Sequence, residues 1–238
     1  VSTKKAGKTP FKKEDFLKAV QDDAFIEKMV AKYPKLLANL PSKDSGVRYR
    51  LEGYLFPATY NYGKDTTVKE MIDQMLAAMD QNLSPYYETL ESKNINVNEV
   101  LTLASLVEKE GATDQDRKDI ASVFYNRLNQ DMPLQSNIAI LYAEGKLGQK
   151  TTLKEDATIN TELDSPYNIY KNTGLMPGPV DNPGVSAIEA AVNPSKTDYL
   201  YFVANVENGE VFFAKTYEEH NKNVEEHVNS KLTQASSN

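Results

Sequence analysis

The chain has 238 residues, 40% of them hydrophobic and 26% charged, an ordinary globular composition with material for a sizeable core. Its net charge of −7 excludes a general nucleic-acid binder, which needs a basic footprint to neutralise phosphates. It has no cysteine, so a disulfide framework, a thiol nucleophile and a cysteine-ligated metal are excluded as well.

Residues 10–40 are lysine-rich, with Phe16, Leu17, Val20, Phe25, Ile26, Met29 and Val30 at helical spacing. They predict a helical lead-in over 1–47, closed by the polar stretch Ser42 to Gly46. No signal-peptide pattern opens the chain, which reads as an excised fragment. The longest apolar run, Tyr199 to Val206, is far short of the roughly 20 residues of a membrane-spanning helix. Tyr49 to Tyr62, aromatic-rich and holding Pro57, predicts a short strand running into a loop. A helix follows from about Thr67, with Val68, Met71, Ile72, Met75, Leu76 and Met79 on one core-facing side.

Asn98 is expected to cap the next helix, with Glu99 in its first turn. That helix carries Val100, Leu101, Leu103, Ala104, Leu106 and Val107, then Glu108-Lys109-Glu110, and ends at Gly111. Another is expected over 116–129, followed beyond Pro133 by a less regular stretch and a Gly/Pro-rich loop over 173–184. Ser186 and Glu189 have capping-box spacing for a helix that must stop near Asn193, before Pro194. Asn208-Gly209 between two strand-like runs predicts a hairpin, and Thr216 with Glu219 opens a last helix. Residues 233–238 are expected to form a disordered tail.

At about 100° per residue, Glu110 continues the apolar stripe of Leu103, Leu106 and Val107, while Lys109 points away and Glu108 lies nearer the edge. A carboxyl at the apolar end of a buried helix is desolvated, which raises its pKa as a general acid requires. The electronegative helix C-terminus pushes the same way. Periodicity alone leaves open two solvated glutamates on a frayed helix end.

The run from Leu103 to Glu110 (LASLVEKE) resembles the signature of the MltG/YceG-like endolytic murein transglycosylases. The resemblance continues in order through Ala121–Leu128, Pro133–Ser136, Ser165–Tyr170, Thr173–Pro179, Asn193–Lys196, Tyr199–Val203 and His220-Asn221. Upstream, Leu51 to Tyr60 (LEGYLFPATY) is similar to a family stretch in which Asp usually stands where this chain has Ala58. Similarity to the family implies that Glu110 is catalytic. It also implies an α+β fold, a lysozyme-like helical catalytic core over 48–232 with small antiparallel strands. A membrane anchor and a LysM-like segment normally precede that core, and residues 1–47 fit the tail of the second. The implied partners are peptidoglycan glycan strands and cell-wall synthesis proteins, on the outer face of the cytoplasmic membrane, with no cofactor and no metal.

With one acid, the expected reaction is cleavage of a β-1,4 bond between N-acetylmuramic acid and N-acetylglucosamine by the sugar's own C6 hydroxyl. A muramidase needs a second carboxylate across the cleavage site. Glu52 is the one to watch, either as a residue that orients the site or contacts sugar, or as a structural ion pair beneath the strand. Asn126, Gln135, Ser136, Asn137, Tyr167, Asn168 and Tyr170 supply amides, hydroxyls and flat rings for a neutral sugar. Arg127 is assigned a salt bridge that positions the site. No G-x-S-x-G elbow accompanies His220 and His227, and those two lie about two turns apart, which disfavours a serine hydrolase and a zinc site. Pro177, Pro179 and Pro183 remove the N–H donors that a phosphate cradle needs. A non-catalytic wall-binding module with an inert Glu110 remains the alternative from another class.

Overall fold

The computed structural model describes residues 12–149, 159–205 and 208–230. The expected disordered tail and Val206, the end of the first strand-like run, lie outside the described residues.

Two helices lead in, α1 (Lys13–Ala19) and α2 (Asp23–Lys32). Asp22 starts α2 by accepting the Phe25 N–H, and Phe25, Ile26 and Met29 turn inward. Helix α3 (Val68–Leu83) opens on a reciprocal capping box between Thr67 and Glu70 and buries its methionine stripe, as its periodicity predicts. One hydrophobic core runs from Ala19 and Phe25 through α3 to Val192, continuous across residue 47.

Residues 49–62 are not a strand. Tyr49 and Leu51 carbonyls accept the Glu52 and Tyr54 N–H groups in tight turns. Gly53 sits at φ +87°, and a Cβ there would come 2.2 Å from Cγ of Pro179. The turn therefore docks its backbone on the 173–184 loop, an approach that only glycine permits.

After the short α4 (Tyr87–Ser92) comes α5 (Val97–Glu110). Its cap is Asn96, because only Asn96 stands three residues before Glu99 and can complete the reciprocal box. Asn98 lies inside the first turn instead, donating to the Pro177 carbonyl and accepting from the Tyr54 hydroxyl. Val100 through Val107 are all buried, so α5 is a central helix rather than one with a single apolar stripe.

Helix α6 (Asp114–Leu128), capped by Thr113 and Asp116, packs against α5. The stretch expected to be irregular holds α7 (Asn137–Ala143), whose cap is Ser136. Helix α8 (Val185–Val192) presses Ala187, Ala190 and Ala191 into the space beside α5 and α6, small side chains that allow close approach. Its N-cap is Gly184, not the expected Ser186 box. The helix stops before Asn193-Pro194 as its sequence requires.

Strands β1 (Tyr201–Ala204) and β2 (Val211–Ala214) form the antiparallel hairpin, Tyr201 opposite Ala214 and Ala204 opposite Val211. Phe202 meets Phe124 of α6 edge-on at 5.9 Å. Helix α9 (Tyr217–Val224), boxed by Thr216 and Glu219, folds back over both strands. The architecture is α+β, helical with one small sheet among the described residues. Among those residues no helix is long and apolar enough to cross a membrane.

Candidate active site

The last turn of α5 sends three neighbouring side chains to three different places. Glu108 accepts the Gly184 N–H through Oε2 at 3.1 Å and faces Arg117 at 3.9 Å. It thus supplies the carboxylate that α8 lacks at its own N-terminus, where anions are favoured. Lys109 pairs with Asp181 at 2.6 Å. Together with Asn98 on Pro177 and Ser105 on the Val180 N–H, these contacts fasten the 173–184 loop along one side of α5. Asn182 completes the arrangement by accepting the N–H groups of Gly53 and Leu55.

Glu110 faces elsewhere. Its carboxyl is largely withdrawn from water, and burial pushes its pKa above the ordinary value. Ser136 donates its hydroxyl proton to Oε1 at 2.7 Å, a contact that acts in the opposite direction by favouring the carboxylate. With Oε1 occupied as an acceptor, the acid proton belongs on Oε2. Ser136 can donate because its oxygen already accepts the Ile138 N–H as the α7 cap.

Gln135, Asn137 and Tyr170 join this group. Gln135 is exposed at φ +56°, and its N–H is held by the Ile169 carbonyl. The Tyr170 hydroxyl donates to Asn137 Oδ1. Burial first, and then the nearby charge of Glu110, push the Tyr170 pKa up to about 12.

Glu52 occupies a second cluster at the other end of α7. Tyr142 donates to its Oε2, Tyr167 lies against Tyr142 with ring centres 4.8 Å apart, and the Arg48 guanidinium sits over the Tyr142 ring at 4.7 Å. Desolvation raises the Glu52 pKa to about 7, with Asp181 adding to the rise and Tyr142 and Arg48 opposing it. Of the two readings of Glu52, the ion pair beneath a strand is not found among the described residues: residues 49–62 form no strand, and the hydrogen-bond partner is a tyrosine hydroxyl.

Other expected site residues are committed to the framework. Asn126 donates to the carbonyls of Thr197 and Tyr199, both at 2.9 Å. Asn168, buried, ties the carbonyls of Thr161 and Leu163 and accepts the Tyr170 N–H. Arg127 makes no salt bridge among the described residues. Its guanidinium binds the carbonyls of Leu200, Pro133 and Leu134 and the side-chain oxygen of Gln135, and it lies 5.0 Å from the centre of the Tyr201 ring. The two histidines stack on different rings, His220 on Tyr201 and His227 on Phe212. Sequence reasoning passed over Tyr142 and Arg48; the α7 run Ala139, Ile140, Tyr142 was the available signal for the first, and none marked the second.

Comparison with known proteins identifies the family. The chain is 67% identical over 219 residues to an endolytic murein transglycosylase of Streptococcus pneumoniae, a match spanning 92% of this chain and 40% of that protein. It is 42% identical over 227 residues to one of Bacillus subtilis, spanning 95% of this chain and 61% of the relative. A crystal structure of a yceG-like protein from Listeria monocytogenes superimposes with a TM-score of 0.80 at 47% identity, over 89% of this chain and 67% of that one. The chain thus spans less than half the length of the pneumococcal relative. The model of the YceG-like family matches residues 6–226, and the chain belongs to that family.

Proposed function

We propose that the chain carries the cutting centre of an endolytic murein transglycosylase, the activity for which its relatives are named. The observation that carries the reading is Glu110 itself: a carboxyl that burial pushes above its ordinary pKa and whose Oε1 is fixed by Ser136. Glu110 Oε2 gives its proton to the glycosidic oxygen as the bond from C1 of N-acetylmuramic acid breaks. The C6 hydroxyl of the same sugar then bonds to C1, and its proton returns to Glu110. The group ends as it began, and no water is consumed. A donor and acceptor of this kind works best with a pKa moved toward the working pH, which is what burial supplies.

Gln135, Asn137 and Tyr170 are the proposed contacts for the sugar beside Glu110, with Glu52 and Tyr167 serving a neighbouring unit along α7. Ser136 acts on the acid, and Asn126 and Asn168 on the framework. A glycan substrate supports a place for the domain on the outer face of the cytoplasmic membrane, with an N-terminal anchor and cell-wall synthesis proteins beside it. No cofactor or metal is required by this chemistry.

Mass analysis of fragments from purified peptidoglycan tests the reading. The expected ends are 1,6-anhydro-N-acetylmuramic acid, lighter by one water than hydrolytic ends, inert to borohydride and unlabelled after digestion in ¹⁸O water. Labelled, reducible ends as the main product would assign a muramidase and make Glu52 the first candidate for its second carboxylate. No cleavage by folded protein would leave a wall-binding module.

A further inference from the structure

Arg127 is 7% exposed, and among the described residues no carboxylate acts on it. A buried cation without a counter-charge is unfavourable unless hydrogen bonds engage it. Here the planar fork gathers the backbone on either side of one turn. Nε takes the Leu200 carbonyl at 2.6 Å, while Nη1 takes the carbonyls of Pro133 and Leu134 and the Gln135 amide oxygen at 3.0 to 3.1 Å. Three consecutive residues are thus held by one nitrogen. The last of them, Gln135, is the one non-glycine residue at positive φ among those described that is neither Asn nor Asp, the types that tolerate this region. Unfavoured backbone of this kind persists only where the surroundings impose it. The next residue is Ser136, whose hydroxyl reaches Glu110.

We propose that Arg127 is the positioning residue of this site: by clamping residues 133–135 it imposes the left-handed turn that aims the Ser136 hydroxyl at Oε1 of Glu110. Lysine cannot replace it, because one ammonium cannot reach across the turn to Leu200 and also hold Pro133, Leu134 and Gln135. The groups around Glu110 leave Ser136 as the adjustable contact. Tyr170, from the 165–172 loop, feels the charge of both Glu110 and Arg127. On α5 itself Glu108 is bound to Gly184 and Arg117, and Lys109 to Asp181.

The inference rests on Glu110 being the acid, and its test reads the Glu110 proton without any cleavage. ¹³C-carboxyl NMR titration, with the signal assigned through Glu110→Gln, is run on wild type, Ser136→Ala, Arg127→Lys and the double variant. Ser136→Ala and Arg127→Lys should each move the Glu110 titration to higher pH, and the double variant should move it no further than Ser136→Ala alone. In glycan cleavage, Arg127→Lys should lower kcat about 10- to 100-fold, with a smaller rise in KM through the loosened Gln135, since the reacting group is disturbed more than the sugar contacts. Gln135→Gly is the second variant. Glycine keeps the positive φ, so the fold is retained, while one clamp contact and the imposed stiffness are lost; an upward shift of the Glu110 titration, smaller than that of Arg127→Lys, is expected. Folded Arg127→Lys and Gln135→Gly with unmoved titrations, or shifts that add to that of Ser136→Ala, overturn the proposal. A wild type that makes no anhydro ends leaves these titrations readable and faults only the functional reading.

Discussion

Ser136 donates a 2.7 Å hydrogen bond to Oε1 of Glu110, and this contact opposes the effect of burial on the same carboxyl. Burial favours the acid form; the serine proton favours the carboxylate. Ser136→Ala removes only the second influence. The Glu110 pKa should therefore rise, and the high-pH limb of the cleavage rate, where the acid form is lost, should move to higher pH. Rate profiles of the two proteins on one glycan substrate check this; an unmoved or lowered limb contradicts it.

Glu110→Gln should lower cleavage by roughly 10² to 10⁴ or more while leaving thermal unfolding within a degree or two, because general acid transfer is lost and shape is kept. Glu108→Ala should show the reverse. It unties the N-terminus of α8 and should cost about 1–2 kcal/mol of stability while measurable cleavage remains. Paired activity assays and melting curves separate the two glutamates.

Glu52 makes stability depend on pH. Its folded pKa of about 7 stands above the ordinary 4.5, so between those values the folded chain holds a proton that the unfolded chain releases. Its contribution is present below about pH 4.5 and is lost as pH rises through about 7. Glu52→Gln cannot ionise. Its melting temperature should gain on that of wild type from pH 5 to pH 8, and a difference between the two that is flat with pH rules the effect out.

Gly53→Ala should be severely destabilising, by about 2–4 kcal/mol in urea titration, since the new methyl meets Pro179 in a backbone conformation that alanine disfavours. The nearby Gly63, at ordinary φ with only the Thr66 hydroxyl within 4 Å, should accept alanine with a change below about 0.5 kcal/mol.

Much of this architecture was legible in the sequence, for reasons that differ between elements. The methionines of α3 repeat at helical spacing, and Thr67-Glu70 marks its start, so period and cap agree. The hairpin was written in Asn208-Gly209. Periodicity alone left Glu110 open and the family resemblance singled it out; α5 is buried all round, so the stripe was a partial view of it. The errors share a cause. Asn98 and Ser186 have the chemistry of caps, but tertiary partners claim them: Pro177 and Tyr54 hold Asn98, while Asp114 and Arg117 hold Ser186. Glu108 then serves α8 from another helix, a contact that local spacing does not encode. Likewise Arg127 met backbone carbonyls where a carboxylate was expected, because its neighbours in space come from residues 133–135 and 200.

The surroundings that act on the proton of Glu110 are burial and a serine hydroxyl. Dissolved ions weaken attraction between charges, but they have little purchase on a neutral hydroxyl. An acid held by paired charges would drift as the surrounding salt rose and fell. This one should keep much the same proton affinity in dilute and in briny media, so a salt dependence of cleavage points first to how the long polymer meets the surface.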